Sequence, residues 1–267
     1  MNSDPRERFT AAADLYHRHR PSYPAELIDW ILSTASLVPP ATVADIGCGT
    51  GISTRLFAGR GFDVVGVDPN EEMLARARDA GGARYRNGEA AATGLPDRSV
   101  DLVTVAQAFH WFDIAEALAE IARILRPGRW SAAFWNVRAL ANAFMVEYDE
   151  LLRRYSHEYA ILESHENAGR KIAAAPGVLD LREAEFGCAQ RLDRESFFGR
   201  VYSSSYVIHG VEDREGFARA LGDLFDRHQE SGIVELRYRT VGLCWRLDSQ
   251  TRSRPRNSVP LPLRGEG

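Results

Sequence analysis

The chain has 267 residues, of which 45% are hydrophobic and 26% charged, and its 33 basic and 37 acidic residues give a formal charge of −4. This length suits one large domain with its own core, and the charge balance lacks the basic excess of a nucleic-acid-binding surface. No apolar run approaches the roughly 20 residues of a membrane helix, and the opening MNSDPRERFT lacks the apolar core of a secretion signal. We therefore expect a cytoplasmic protein that binds no membrane.

Short apolar runs alternate with amphipathic stretches from residue 40 to about residue 137, which is the pattern of βαβ units around a parallel sheet. The predicted elements are, in chain order, strand TVADIG, helix STRLFAGRG, strand DVVGVD, helix NEEMLARARDAGG, strand ARYRNG, strand VDLVTVAQ, helix FDIAEALAEIARILRPG and strand WSAAFWNV. Asn70 is expected to cap the second helix and Gly81 to end it, while Pro127 and Gly128 are expected to end the third.

The pattern changes after Arg138, where NAFMVEYDELLRRYSHEYAIL forms a long helical stretch that no strand follows promptly. We interpret residues 140 to about 176 as a helical cap. Two later strands, REAEFGCAQRLD and IVELRYRTVGLCWRL, are separated by helices around residues 196–202 and 213–228, and they predict an antiparallel pair that completes a mixed sheet. The last stretch, SQTRSRPRNSVPLPLRGEG, is rich in Arg, Ser and Pro and is expected to be disordered.

The cysteines and histidines do not suggest a metal site. Cys48, Cys188 and Cys244 lie far apart in the sequence and match no zinc spacing, which fits reduced thiols that serve in packing. His157 and His165 are eight residues apart, whereas a helix that binds a metal would need a separation of four. We therefore predict no metal.

A glycine-rich turn follows the first strand in VADIGCGTG, residues 43–51. Such a turn brings bare backbone N–H groups close to a ligand. A dinucleotide favours the spacing G-x-G-x-x-G, whereas Gly47, Gly49 and Gly51 give G-x-G-x-G, and Asp45 would repel a bound phosphate. S-adenosylmethionine carries an ammonium group that suits a carboxylate, so the spacing and the charge favour this cofactor. A tight connection without any ligand is the alternative.

Two further acidic residues follow strands. Asp68 ends the second strand 17 positions after Gly51, where an acidic side chain can accept hydrogen bonds from ribose hydroxyls. Asp68 can equally cap the helix that follows, and both roles are compatible. Glu89 follows the third strand at the carboxyl edge of the sheet and could accept the adenine amino hydrogen, or it could be an exposed loop residue.

Taken together, VADIGCGTG, GVDPNEEML, GEAAATGLPDRSVDLV and LRPGRW resemble the class I S-adenosylmethionine-dependent methyltransferases. The flanking stretches FTAAADLYHRHRPSYP and AQAFHWFD, with the later RVYSSSYV and YRTVGLCW, look like the small-molecule branch that includes trans-aconitate methyltransferase-like proteins. The resemblance runs to about residue 247. It implies a methyltransferase type 11 domain that transfers a methyl group from S-adenosylmethionine to an oxygen, nitrogen or carbon atom of a small molecule, with a carboxylic acid as one such acceptor.

The fold implied is a Rossmann-like α/β fold, with a seven-stranded mixed sheet (six strands parallel, one antiparallel), helices on both faces and a helical cap. The expected divisions are an N-terminal helical segment over the cofactor site (1–39), the S-adenosylmethionine-binding core (40–139), the helical cap (140–180), the C-terminal part of the sheet with its helices (181–247) and the disordered tail (248–267).

The resemblance also implies cofactor contacts. Asp45, Gly47 and Gly49 would flank the methionine portion of the cofactor, Asp68 its ribose, Met73 the face of the adenine, and Glu89 with the Ala90 backbone the adenine edge. The remaining expected cofactor contacts are Tyr16, Arg20 and Ala106. Arg20 could pair with the carboxylate of the cofactor or with an acidic substrate, or it could be a plain surface arginine. In many relatives an acidic residue stands at the position of Ala91, so here the adenine edge depends on Glu89 alone.

The stretch VAQAFHWFD at the end of the fourth strand should bring Gln107, His110 and Trp111 to the open side of the cofactor. His110 could act as a general base, orient the acceptor, or only fix the loop, and we leave these three roles open. Arg138 leaves the fifth strand toward the same opening. The predicted acceptor-side residues are Trp111, Trp135, Asn136, Tyr148 and Tyr206, and the candidate catalytic residues are His110 and Gln107.

Two other functions are considered: an NAD-dependent oxidoreductase, which the glycine spacing disfavours, and a non-catalytic protein that binds the cofactor. The expected partner is a small-molecule methyl acceptor, and the expected state is a monomer or homodimer. Nucleic acid is not an expected partner, because no Asn-Pro-Pro-aromatic motif is present and the net charge is negative.

Overall fold

The computed structural model describes residues 20–161 and 165–248. Tyr16 and nearly all of the predicted tail lie outside these residues. The strands are β1 Thr42–Ile46, β2 Asp63–Asp68, β3 Arg84–Asn87, β4 Val100–Ala106, β5 Leu125–Arg138, β6 Val178–Leu192 and β7 Val234–Leu247. The helices are α1 Ala25–Ala35, α2 Ile52–Ala58, α3 Glu71–Ala80, α4 Ile114–Ile124, α5 Ala143–Tyr155, α6 His157–Ile161, α7 His165–Ala174, α8 Arg194–Tyr202, α9 Ser205–Gly210 and α10 Arg214–His228.

In the described part of the chain, seven strands form one sheet in the order β3-β2-β1-β4-β5-β7-β6. Strands β1 to β5 pair in parallel, and β7 pairs antiparallel with both β5 and β6. Only β7 therefore runs against the others, which confirms the predicted mixed sheet of six parallel strands and one antiparallel strand. The strand order reverses between β1 and β4, and in open α/β sheets ligands bind outside the carboxyl ends of the strands at such a reversal.

The predicted helix ends follow local chemistry. The Asn70 side chain accepts hydrogen bonds from the backbone N–H groups of Glu72 and Met73, and the chain leaves α3 at Gly81 with a φ of 67°. Asn70 therefore caps α3 as predicted. The third predicted helix differs, because it ends at Ile124 and β5 already begins at Leu125.

Pro127 and Gly128 lie within β5 instead of before it. The pairing of β5 with β4 is irregular there, since Val100 pairs with Leu125 and Leu102 pairs with Trp130. The extra residues of β5 are accommodated in this bulge, where Gly128 has a φ of 74°. A proline and a glycine therefore did not mark the end of a helix in this case, but an irregularity in a strand.

Apolar side chains pack on both faces of the sheet and in a separate cap core. One face of β5 carries Ala133 and Trp135, which pack with Trp245. The opposite face carries Ala132 and Phe134, which pack against α1. The cap core gathers residues of four helices, α5, α8, α9 and α10, and of β7. In the description of the structure, these four helices are called the cap. The cap is thus packed onto the end of the sheet that carries the C-terminus of β5.

The described residues contain neither a membrane-spanning helix nor a cluster of metal ligands. No helix in residues 20–161 and 165–248 is long and apolar enough to cross a membrane. Over the same residues, no group of three or more His, Cys, Asp or Glu side chains is arranged to hold a metal ion. Cys48 and Cys244 are buried and Cys188 is partly buried, all as free thiols.

Candidate active site

The glycine-rich turn between β1 and α2 is attached to the end of β2. The N–H groups of Gly47 and Cys48 both donate to the carbonyl oxygen of Val67, over 2.8 and 3.1 Å. The N–H of Gly49 donates to Oδ2 of Asp68 over 2.8 Å. The carboxylate predicted for the ribose therefore also holds the glycine turn in place.

Gly47 and Gly49 serve different purposes, although both have a positive φ. A Cβ atom added to Gly47 would lie 2.6 Å from the Cβ of Ala108, which is closer than two carbon atoms can approach. A Cβ added to Gly49 would meet no atom within 4 Å. Gly47 lets the loop after β4 pack against the turn, whereas Gly49 presents bare backbone to open space. Such a surface suits a ligand that must approach closely.

Asp45 is fully buried at the end of β1. Its Oδ2 accepts hydrogen bonds from the hydroxyls of Ser53 and Thr54, and its Oδ1 accepts one from Thr104. Burial raises the pKa of Asp45, and these three hydroxyls partly oppose that effect. In this structure Asp45 joins β1, β4 and α2, while its predicted contact with the methionine portion of the cofactor stays a prediction.

Asp68 is also buried, and burial raises its pKa, although hydrogen bonds from the N–H groups of Asn70 and Gly49 lower it again. The nearby Met73 side chain is buried at the start of α3. Glu89 and Ala92 form a small bridge in the loop after β3, with Glu89 exposed and Ala90 packed against the core of the sheet. The candidate adenine contacts thus follow β2 and β3 at one edge of the sheet.

The chain after β4 turns sharply. Gln107 has a φ of 57°, which a residue with a side chain rarely adopts, and its Nε2 donates to the carbonyl oxygen of Asn136 over 3.2 Å. A short 3-10 turn at Phe109–Trp111 follows, in which the rings of His110 and Trp111 are 4.9 Å apart. The turn is anchored by Phe109, which packs edge-on against Trp245. His110 and Gln107 therefore lie on the loop that packs against Gly47.

Asn136 links three parts of the molecule at the carboxyl end of β5. Its Nδ2 donates to the carbonyl oxygen of Ser22, and its Oδ1 accepts from the hydroxyl of Thr240 on β7, over 2.6 Å. Trp135, its neighbour, is only 1% exposed and packs in the core on the opposite face of the sheet. Successive strand residues point to opposite faces, so Trp135 and Asn136 do not share an opening. Trp135 therefore serves in packing in this structure, and its predicted contact with the acceptor stays a prediction.

A cluster of arginine and tyrosine side chains lies beyond Asn136, where the cap meets the sheet. Arg138 donates through Nη1 to the Tyr159 hydroxyl over 2.9 Å and through Nη2 to the Tyr206 hydroxyl. The guanidinium of Arg138 lies 5.3 Å from the ring centre of Tyr148. Arg200 enters from α8 and donates through Nε to the hydroxyl of Tyr238 over 3.2 Å.

The cluster brings together Tyr148 and Tyr206, two of the predicted acceptor-side residues, and it adds Arg200, which the sequence did not suggest. Arg20 approaches from the N-terminal segment, where its Nη2 donates to the carbonyl oxygen of Ser203 over 3.3 Å. Burial raises the pKa of Tyr206, but the charges of Arg138, Arg200 and Arg20 outweigh it and lower that pKa to about 8. Tyr206 therefore experiences a strongly positive potential.

Comparison with known proteins gives the family. A family model described as a methyltransferase domain matches residues 44–132. An uncharacterised methyltransferase-like protein of Schizosaccharomyces pombe is 30% identical over 238 residues, which cover 87% of this chain and 92% of the relative. An uncharacterised methyltransferase of Mycobacterium tuberculosis is 44% identical over 147 residues, and that match spans 55% of this chain and 59% of the relative.

Solved structures agree on the fold. A candidate type II methyltransferase from Anaeromyxobacter dehalogenans is 27% identical, with a TM-score of 0.59, over 84% of this chain and 95% of that one. The YcgJ protein of Bacillus subtilis shares the fold at 18% identity with a TM-score of 0.52, over 83% of this chain and 98% of its own. With the glycine turn, the acidic end of β2 and the sheet order all present, the chain belongs to the methyltransferase family.

Proposed function

We propose that this protein binds S-adenosylmethionine at the carboxyl edge of β1 and β2 and transfers its methyl group to an oxygen, nitrogen or carbon atom of a small molecule, with a carboxylic acid as one proposed acceptor. One observation carries the proposal: Gly49 presents bare backbone to open space while its N–H is fixed by Asp68. A phosphate-bearing dinucleotide fits less well, because the glycine spacing is G-x-G-x-G and the buried carboxyl group of Asp45 directly precedes the turn. Membership of the methyltransferase family also speaks against an oxidoreductase.

The residues present fit this cofactor. The Asp68 carboxylate has the acceptor chemistry that ribose hydroxyls need, and Met73 offers an apolar thioether for the adenine face. The candidate contacts at the adenine edge are Glu89 and Ala90. Arg20 from the N-terminal segment has the charge to pair with the cofactor's carboxylate. Tyr16 and Ala106 remain proposed contacts.

S-adenosylmethionine, when bound, supplies an already electrophilic methyl group. The protein then has to hold the acceptor in line with that group and exclude water. Gln107 and His110 are the proposed groups for this task, because their loop packs against the glycine turn. His110 could also accept a proton from a hydroxyl or amine, whereas an ionised carboxylate acceptor needs no base.

The proposed acceptor is a small molecule that binds between the loop after β4 and the cap, and neither a nucleic acid nor a membrane is proposed as a partner. We propose that the protein is cytoplasmic, acts without a metal, and works as a monomer or homodimer. The proposed acceptor-side residues are Trp111, Trp135, Asn136, Tyr148 and Tyr206.

Titration calorimetry with S-adenosylmethionine and with its demethylated product, S-adenosylhomocysteine, tests the proposal. We expect both to bind the wild-type protein. Asp68→Ala should abolish binding, because it removes the ribose acceptor and the fixed position of Gly49 together. A protein that binds neither compound, or that shows a thermal shift with NAD alone, would contradict the proposed function. Binding of both compounds without methyl transfer to any acceptor in a panel of carboxylic acids, phenols and amines would favour the non-catalytic alternative.

A further inference from the structure

A buried carboxylate on α4 faces residues 88–99, the β3–β4 loop. This carboxylate belongs to Glu120, which is only 7% exposed. The residues buried beside it on α4 are apolar and include Ala117, Leu118, Ile121 and Ile124. A charged group in such surroundings loses its hydration, so it is tolerated only where polar partners replace the water. The partners of Glu120 therefore indicate its role.

These partners lie in the β3–β4 loop and on α4 itself. The Oε1 atom of Glu120 accepts hydrogen bonds from the backbone N–H of Thr93, over 2.8 Å, and from the Thr93 hydroxyl. Both carboxylate oxygens also accept from Arg123, one turn further along the helix, over 2.7 and 2.8 Å. Burial raises the pKa of Glu120, but the hydrogen bonds from Arg123 and Thr93 outweigh it and lower that pKa. Glu120 is therefore ionised at neutral pH and joins the loop to the helix.

Arg123 holds the same loop at two further points. Its Nη2 donates to the carbonyl oxygen of Leu95 over 2.8 Å, and its Nη1 forms a salt bridge with Asp97. The Leu95 side chain is buried in the core of the sheet. Glu120 and Arg123 together therefore fix the second half of the β3–β4 loop.

Thr93 in turn determines where the first half of the loop lies. A Cβ atom added to Gly88 would be 2.8 Å from the carbonyl oxygen of Thr93, so only a glycine lets the two backbones approach this closely. The N–H of Gly88 donates to the carbonyl oxygen of Asp68 over 3.2 Å. Between these contacts, Glu89 and Ala92 pair through two backbone hydrogen bonds of 3.0 and 3.2 Å. A chain of contacts thus runs from α4 through Thr93 to the end of β2.

We propose that Glu120 is a positioning residue for the adenine end of the cofactor site. Through Thr93 it holds the turn that carries Glu89 and Ala90, and it thereby sets the selectivity of the site for adenine. An exposed turn that has to accept the adenine amino hydrogen needs such support to keep a fixed position. Arg123 assists by keeping the carboxylate charged and in place. This inference rests on the proposed function, because it assumes that the turn binds the adenine ring.

Glu120 could instead serve only the stability of the fold, and amide hydrogen exchange in the ligand-free protein separates the two roles. We expect Glu120→Ala to speed exchange at the N–H groups of Gly88 and Glu89 at least about tenfold, because the turn opens more often without its support. The N–H of Gly47, which donates to β2, should keep its rate. The control Glu116→Ala, at an exposed carboxylate of α4, should change none of these rates. Equal acceleration at all three N–H groups would show a general loss of stability and would overturn the inference.

Calorimetry with two ligands tests the selectivity for adenine. S-adenosylhomocysteine carries the adenine amino group, whereas S-inosylhomocysteine carries a carbonyl oxygen in its place. We expect the wild-type protein and Glu116→Ala to bind the adenosyl compound at least about tenfold more tightly, because a carbonyl oxygen leaves the Glu89 carboxylate without a donor. Glu120→Ala should lose most of this preference, chiefly through weaker binding of the adenosyl compound. Thr93→Val, which removes the hydroxyl that donates to Glu120, should reduce the preference as well.

Three binding results would also overturn this inference. One is a preference for the adenosyl compound that is unchanged in Glu120→Ala. Another is an equal loss of affinity for both compounds, which would assign Glu120 to stability alone. The third is a wild-type protein that binds the two compounds equally well, since its turn would then not read the amino group. If Glu120→Ala does not fold, Thr93→Val decides, and an unchanged preference in that variant overturns the inference.

The same measurements keep this inference separate from the proposed function. If the wild-type protein binds neither S-adenosylmethionine nor S-adenosylhomocysteine, the proposed function fails, and the assignment to adenine fails with it. The exchange rates of Gly88 and Glu89 in the ligand-free protein then decide alone whether Glu120 positions the turn. If S-adenosylhomocysteine binds and Glu120→Ala changes neither exchange nor preference, only the inference fails.

Discussion

The N–H of Gly49 donates to the carboxylate of Asp68 over 2.8 Å, and this contact joins the turn after β1 to the end of β2. The other oxygen of Asp68 accepts from the N–H of Asn70 over 2.9 Å, next to the start of α3. One side chain thus fixes two backbone segments at the candidate cofactor site. The spacing of Asp68 from the glycines therefore has a structural role beside its proposed role in cofactor binding.

Asp68→Asn should destabilise the protein, because an amide has one acceptor oxygen and cannot accept from both N–H groups as a carboxylate does. Leaving one buried N–H unpaired costs roughly 1–3 kcal/mol. Urea unfolding should show this loss of unfolding free energy, while Asp79→Asn, a change at an exposed carboxylate near the end of α3, should show almost none. Equal effects of the two substitutions would contradict the assigned role of Asp68.

Gly47→Ala and Gly49→Ala should separate folding from binding. Both introduce a side chain at a positive φ, which costs on the order of 1 kcal/mol. Gly47→Ala also forces a methyl group against Ala108, so its loss of stability should be clearly larger. Gly49→Ala should fold yet bind S-adenosylhomocysteine at least about tenfold more weakly, because its methyl group would occupy the open space before the turn. Thermal melts and calorimetry on both variants measure the two effects.

Tyr206 should ionise near pH 8, because the neighbouring arginines favour its phenolate over its neutral form. Ultraviolet difference absorbance of the folded protein should show one tyrosine titrating there, and Tyr206→Phe should remove that step. Tyr155→Phe, at the end of α5, should not. If the step persists in Tyr206→Phe, another group is responsible for it.

The same ionisation predicts how stability depends on pH. An ordinary tyrosine pKa of about 10 in the unfolded chain lies above the folded value of about 8, so folding favours the ionised form. This contribution is complete above pH 10 and is lost as the pH falls toward 8. Relative to Tyr206→Phe, the wild-type protein should therefore gain unfolding free energy from pH 8 to pH 10. A flat difference between the two proteins over this range would contradict the lowered pKa.

Asp45→Asn should reduce stability, because the carboxylate accepts three hydroxyl hydrogen bonds in a fully buried position. An amide would direct its N–H₂ group toward at least one of those hydroxyls and force it to rearrange, at a cost of roughly 1–3 kcal/mol. Denaturant unfolding measures this loss. An Asp45→Asn variant with wild-type stability and weakened cofactor binding would show that the carboxylate serves the ligand and not the fold.

Much of the fold could be predicted because its signals are local. The cap at Asn70, the end of α3 at Gly81 and the apolar strands each depend on a few neighbouring residues. Pro127 and Gly128 show the limit of such signals, because a helix end and a strand bulge both favour these residue types. Only the pairing of β5 with β4 decides between them.

The candidate site was less predictable, because its contacts join distant parts of the chain. Arg138 and Tyr206 are 68 positions apart, and their contact depends on how the cap packs on the sheet. Arg200 carries no motif and lies in an ordinary helical pattern, so nothing in the sequence marked it. Strand alternation alone predicts that Trp135 and Asn136 lie on opposite faces of the sheet.

The late position of β7 in the chain also determines the order in which parts of the candidate site can form. It supplies Thr240 and Tyr238 to the proposed acceptor side, and among the described strands it alone pairs with both β5 and β6. The polar residues Asn136 and Arg138 of β5 precede their partners on β7 by about a hundred positions. During synthesis they therefore have no partners until β7 has been made. A nascent chain stalled before Val234 could already close its glycine turn, yet its acceptor side would still be unassembled.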